Sequence, residues 1–154
     1  MKKALRWVII VVGVLLVGAQ FIRPDRTNPS ADLSKDFAAI YGQTSTIVPL
    51  IRKACYDCHS SETRWPWYSN ITPVSWFVSD DVREARRHLN FSTWGDYPAR
   101  KRASSLDHIR DEVSSGDMPM WTYLLMHSDA HLTQGERDSI VSWAEREKKE
   151  LANE

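Results

Sequence analysis

The chain has two cysteines, and both fall in one five-residue stretch, Cys55-Tyr56-Asp57-Cys58-His59. C-x-x-C-H is the attachment sequence of c-type haem. The spacing has a mechanical reason. Two thiols three positions apart on a helical turn can form thioethers to the two haem vinyl groups, and the next side chain then offers a neutral imidazole nitrogen to the iron. Three other uses of a C-x-x-C pair fit less well. A thioredoxin-like redox pair belongs at the start of a helix after a strand, and no such pattern surrounds it. Structural zinc needs two more ligands, for which the only spaced candidates are His127 and His131. A disulfide across two residues closes too small a loop to stabilise much.

Thioethers to haem are made outside the cytoplasm, and the N-terminus carries an export feature. Lys2, Lys3 and Arg6 precede an uncharged run from Trp7 to Ile22 rich in Val, Ile, Leu, Gly and Ala. Leu5 to Ile22, interrupted by Arg6, is about the ~18-residue minimum for a spanning helix, whereas Val17-Gly18-Ala19 resembles a small-residue cleavage site. The expectation is an uncleaved anchor over residues 1–22 in a bacterial inner membrane. The alternative is a signal cut after Ala19, leaving a soluble periplasmic protein. Trp7 and Phe21 suit the two interfaces, and the basic residues stay on the cytoplasmic side. In either case the rest of the chain lies in the periplasm.

Residues 23–34, with Pro24, Asp25, Asn28, Pro29, Ser30 and Asp32, are short, polar and broken by proline, and suggest a tether. The remaining stretch, 35–154, suits one compact domain. Apolar positions Ile40, Ile47, Val48, Leu50 and Ile51 predict a short helix ending at the cysteines. Thr72-Pro73 followed by Val74, Phe77, Val78, Val82, Ala85 and Leu89 predicts a helix over 73–89. Its arginines, Arg83, Arg86 and Arg87, are expected on a solvated face. A helix over 99–115, with Leu106, Ile109 and Val113 inward, should stop at Gly116. Thr133 and Glu136 form a capping box ahead of Ile140, Val141, Trp143, Ala144 and Leu151. No strand is expected, so the fold class is all-α. Lys plus Arg (20) balance Asp plus Glu (20), and no basic stripe carries interleaved aromatics, which argues against nucleic acid.

A sixth iron ligand is sought in Gly116-Asp117-Met118-Pro119-Met120. A thioether there favours ferrous iron and raises the potential. Met118 is preferred, with Met120 as the alternative. His88, His108, His127 and His131 would give a lower-potential bis-histidine iron. A haem is a large apolar disc with acidic propionates, so its pocket needs aromatic walls and donors at one edge. Arg64, Trp65, Trp67 and Tyr68 are candidates for that work. Trp76, Trp94, Trp121 and Trp143 are expected as ordinary core filling.

On these residues the chain resembles the bacterial haem-binding domain family related to class I cytochromes c. The likeness runs from about Ile47 to Leu151 and includes the anchor ending Gln20-Phe21-Ile22-Arg23-Pro24. Its markers are Cys55 to His59, Thr63 to Ile71, His88-Leu89-Asn90-Phe91-Ser92 with Trp94, Gly116 to Pro119, and the segment from Leu132 to Trp143. The resemblance implies one covalently attached haem c in a cytochrome c-like helical fold, with His59 proximal and Met118 distal. It also implies electron transfer outside the cytoplasm, with redox partners that the family leaves undefined. Two axial ligands suit a carrier, not an enzyme. A peroxidase-like enzyme would instead need an open iron with distal groups such as His127 or His131, and a sensor or gas-binding module would need the open iron alone.

Overall fold

The computed structural model describes residues 2–42 and 44–153, which are all-helical with no strand. Helix α1, Lys2–Ala19, buries none of its side chains. Among the described residues no helix is long and apolar enough to cross a membrane; α1 carries three basic residues within its 18. The domain then follows as α2 (Phe37–Tyr41), α3 (Ile47–Ala54), α4 (Tyr56–His59), α5 (Val74–His88), α6 (Ala99–Ser115), α7 (Trp121–Leu124) and α8 (Gln134–Leu151).

The long helices begin and end where local chemistry dictates. Pro98 precedes α6, and Gly116 ends it in the left-handed conformation at φ 87°, which costs glycine nothing. At the head of α8 the capping box is complete: Thr133 accepts from the Glu136 backbone and Glu136 accepts from that of Thr133. Helix α5 starts one residue later and ends one earlier than the sequence pattern predicts, within the usual fraying of helix ends.

Helices α6 and α8 pack along each other, burying Leu106, Ile109 and Val113 from one and Ile140, Trp143 and Ala144 from the other. Lys148 adds an ion pair to Asp107 across this seam. Phe37 is fully buried at the core centre. Its ring meets Phe91, Trp94 and Trp143 edge-on at centroid distances of 5.2, 5.7 and 5.4 Å, the arrangement that aromatic quadrupoles favour.

Three expectations differ from this picture. Trp94 and Trp143 do fill the core, but Trp76 is 38% and Trp121 72% exposed. Trp76 instead donates its indole N–H to the carbonyl of Ile22 at 2.8 Å. Arg86 is not on a solvated face: it turns inward and donates to the Ser60 carbonyl, Asn28 and Thr63. Residues 23–34, expected as a tether, are hydrogen-bonded to the domain, as is Gln20 in the expected anchor before them. Gln20 exchanges two amide bonds with the Thr72 backbone at 2.9 and 3.0 Å, Ser79 donates to the Asp25 carbonyl, and Arg26 donates to Ser69 and Asn70.

Candidate functional site

Cys55 closes α3, its N–H donating to Ile51, and its carbonyl opens α4 by accepting from His59 at 2.8 Å. The two residues between the cysteines anchor this short helix on separate sides. Tyr56 points into the core, stacks on Phe91 with an interplanar angle of 8° and donates its hydroxyl to the buried Asp36 at 2.9 Å. Asp57 accepts from the Tyr123 hydroxyl at 2.8 Å and from the Arg64 side chain at 3.3 Å. Ser60 donates back to the Tyr56 carbonyl at 2.7 Å.

With Tyr56 and Asp57 so engaged, Cys55, Cys58 and His59 line a cavity of about 490 Å³. Both thiols are free. Burial pushes each up to about 12, with the neighbouring Cys58 adding to it for Cys55, and Asp57 and Asp81 for Cys58. They are therefore neutral at ordinary pH, unlike the activated thiolate of a redox pair. Among the described residues no three His, Cys, Asp or Glu side chains converge on a common point, so no zinc set is seen.

His59 Nδ1 lies 3.1 Å from the carbonyls of both Ala85 and Leu89, at the end of α5. Two acceptors require Nδ1 to carry the proton, so Nε2 keeps its lone pair. Burial lowers the imidazole's pKa against the pull of those carbonyls, and the ring is held neutral in the tautomer that a metal bond through Nε2 needs.

Met118, Pro119 and Met120 line the same cavity. Their loop is fixed after Gly116: the Met118 N–H donates to Glu112 at 3.1 Å. Arg137 on α8 donates to the carbonyls of Val113 and Met118, both at 3.1 Å. The floor is apolar, with Leu89, Phe91, Ile109 and Val113. Ser105 also lines it, 3% exposed, and its hydroxyl has no hydrogen-bond partner.

Seven candidate site positions named from the sequence thus line one cavity: Cys55, Cys58, His59, His88, His108, Met118 and Met120. Arg64, Trp65 and Trp67 are not among the lining residues. Arg64 is an exposed partner of Asp57, and Trp67 is 67% exposed. Of the other histidines, His88 and His108 line the cavity as exposed residues. His127 is held elsewhere, stacked on Tyr123 at 4.1 Å and bonded to the Tyr68 hydroxyl at 2.8 Å.

Among protein-family models, that of the haem-binding domain matches residues 14–146. The chain belongs to the haem-binding domain family. No curated protein and no solved structure matches it.

The cavity of this haem-binding domain fits the group the family binds. It is mostly apolar, with Asp81, Glu84, Lys101 and Glu112 also in its lining, and lies within the ~300–1,000 Å³ range of ligand sites. It offers one oriented imidazole and thioether sulfurs, both donors that haem iron accepts, and the unpartnered Ser105 hydroxyl is a polar atom a bound group could satisfy. Sequence reasoning missed Ser105, Arg137, Tyr123 and the carbonyls of Ala85 and Leu89. Backbone acceptors leave no trace in residue identity, and a serine on a helix reads as solvent-facing until its neighbours are known.

Proposed function

We propose that this haem-binding domain is a c-type cytochrome module that passes single electrons outside the cytoplasm. The observation that carries the reading is the joint lining of one mostly apolar cavity by Cys55, Cys58, His59 and the two methionines. Cys55 and Cys58 would hold the haem, each thiol adding across one vinyl group with a carbon–sulfur bond formed, the thiol hydrogen passing to the other vinyl carbon and nothing oxidised or reduced. Haem supplies an iron that moves between ferric and ferrous states.

The chain's own residues account for the rest. Ala85 and Leu89 hold His59 with Nε2 free for iron, and Met118 is the preferred sixth ligand, with Met120 adjacent. With His59 and Met118 both bound to the iron, no position would stay open for substrate, which would suit a carrier over a peroxidase or a gas sensor. His127, engaged by Tyr68 and Tyr123, and His131 are not among the residues lining the cavity, so neither offers a distal acid-base group there.

The same reading takes α1 as the membrane attachment, with Lys2, Lys3 and Arg6 at the cytoplasmic headgroups and the domain in the periplasm. Its support is an apolar helix with no buried side chain, which needs cover from something other than this domain. Trp7 to Ala19 spans only about 20 Å at 1.5 Å per residue, less than a ~30 Å hydrocarbon core. Snorkelling basic side chains and local thinning of the bilayer accommodate such a shortfall.

The test is the absorption spectrum of the reduced, alkaline pyridine adduct, taken after export in a host with c-type haem maturation. The expected alpha band is that of thioether-linked haem, lost in Cys55→Ala/Cys58→Ala. A colourless product with both thiols free overturns the reading. Rapid carbon monoxide binding by the intact protein would move it to the sensor or enzyme class.

A further inference from the structure

Five of the exposed apolar side chains come from two segments that are bonded to each other, whereas Leu33, Ile40, Trp67, Trp121, Leu125 and Met126 are exposed on other segments. Ile71, Val74 and Phe77 are 46%, 42% and 67% exposed at the start of α5, and Phe21 and Ile22 are 85% and 65% exposed just after α1. The two groups are joined. The Gln20 amide is paired with the Thr72 backbone, Trp76 donates to the Ile22 carbonyl, and Pro24, Trp76 and Phe77 line one surface groove. The apolar helix α1 therefore ends against an apolar, aromatic face of the domain, through bonds at both Gln20 and Ile22.

We propose that this face, Phe21, Ile22, Ile71, Val74, Trp76 and Phe77, lies in the headgroup region of the membrane that holds α1. The proposal rests on the anchor reading above. The occupant is a lipid surface because the patch is continuous with α1, whose apolar side chains are all uncovered by the domain. The groove also brings the Trp76 indole to the same edge as Arg83, whose guanidinium is paired there with Asp80; aromatic rings are the side chains that settle at lipid interfaces. Seating the face there also lets a short helix reach further, since residues 20–22 enter the interface with it.

The consequence is a fixed orientation. Helix α5 runs from this face to the cavity, which its residues Asp81, Glu84, Ala85 and His88 line. At 1.5 Å per residue those positions lie about 6–17 Å along the helix from Phe77. The cavity is held near the membrane at a set distance, not swung on a free tether.

The experiment uses the full haem-loaded chain in phospholipid vesicles isolated by flotation. Hydroxyl radicals made by X-ray radiolysis then oxidise exposed side chains. Phe77 and the control Trp121 are matched in exposure, 67% and 72%, and each rate is divided by that of the same residue in the urea-unfolded chain. Phe77 and Trp76 should react at least about fivefold more slowly than Trp121, and Val74→Asp/Phe77→Asp should restore Trp76 reactivity while the protein still floats. Floating protein with Phe77 as reactive as Trp121 overturns the docked face and leaves the anchor standing. Protein that does not float with vesicles overturns both.

Discussion

Arg137 donates one guanidinium nitrogen to the carbonyl of Met118 at 3.1 Å and shares it with Val113 at 3.1 Å. A charged donor from α8 thereby sets the backbone of the loop that carries Met118 and Met120. Arg137→Gln should cost about 2 kcal/mol in urea unfolding, the scale of a lost charge-assisted hydrogen bond. It should also weaken the near-infrared sulfur-to-iron absorption of the oxidised protein while the thioether-linked alpha band persists. An unchanged near-infrared band would limit Arg137 to stability.

Met118 and Met120 flank Pro119 and line one cavity. Met118→Ala should abolish the near-infrared band and lower the reduction potential, because soft sulfur favours ferrous iron. Met120→Ala should leave both unchanged. Near-infrared spectra of the two variants decide between them; the reverse pattern assigns Met120 as the ligand.

Tyr56 is 4% exposed, and its hydroxyl serves Asp36, which is equally buried. Tyr56→Phe keeps the stack on Phe91 but leaves the carboxylate with fewer donors. The expected loss is about 1–3 kcal/mol, the penalty of an under-satisfied buried acceptor. Urea denaturation measures it. Haem content should be unchanged, since Cys55 and Cys58 remain.

Glu136 ties α8 to α3 through Lys53 and completes the capping box at Thr133. The Lys53 bond first, then the Thr133 backbone, lowers its carboxyl from 4.5 to about 2. The unfolded chain binds the proton more readily, so Glu136 contributes stability above pH 4.5 that is lost as pH falls towards 2. Thermal midpoints across that window should drop more steeply for the wild type than for Glu136→Gln. Parallel curves would show that the pairing does not form in solution.

What the sequence determined by itself is what near neighbours along the chain decide. The stop of α6 at Gly116, the capping box of Thr133 and Glu136, and the inward stripe of Leu106, Ile109 and Val113 depend on contacts within one or two turns, so spacing and side-chain type suffice. Tertiary structure decided which groups were covered. Trp94 is buried and Trp121 bare because Phe37, distant in sequence, packs on the first and not the second. Arg86 turns inward because Ser60, Thr63 and Asn28 offer oxygens that only folding brings near. His59 takes its orientation from carbonyls 26 and 30 residues away. Burial and partnering depend on contacts between remote segments, and a local pattern holds no record of which segments will meet.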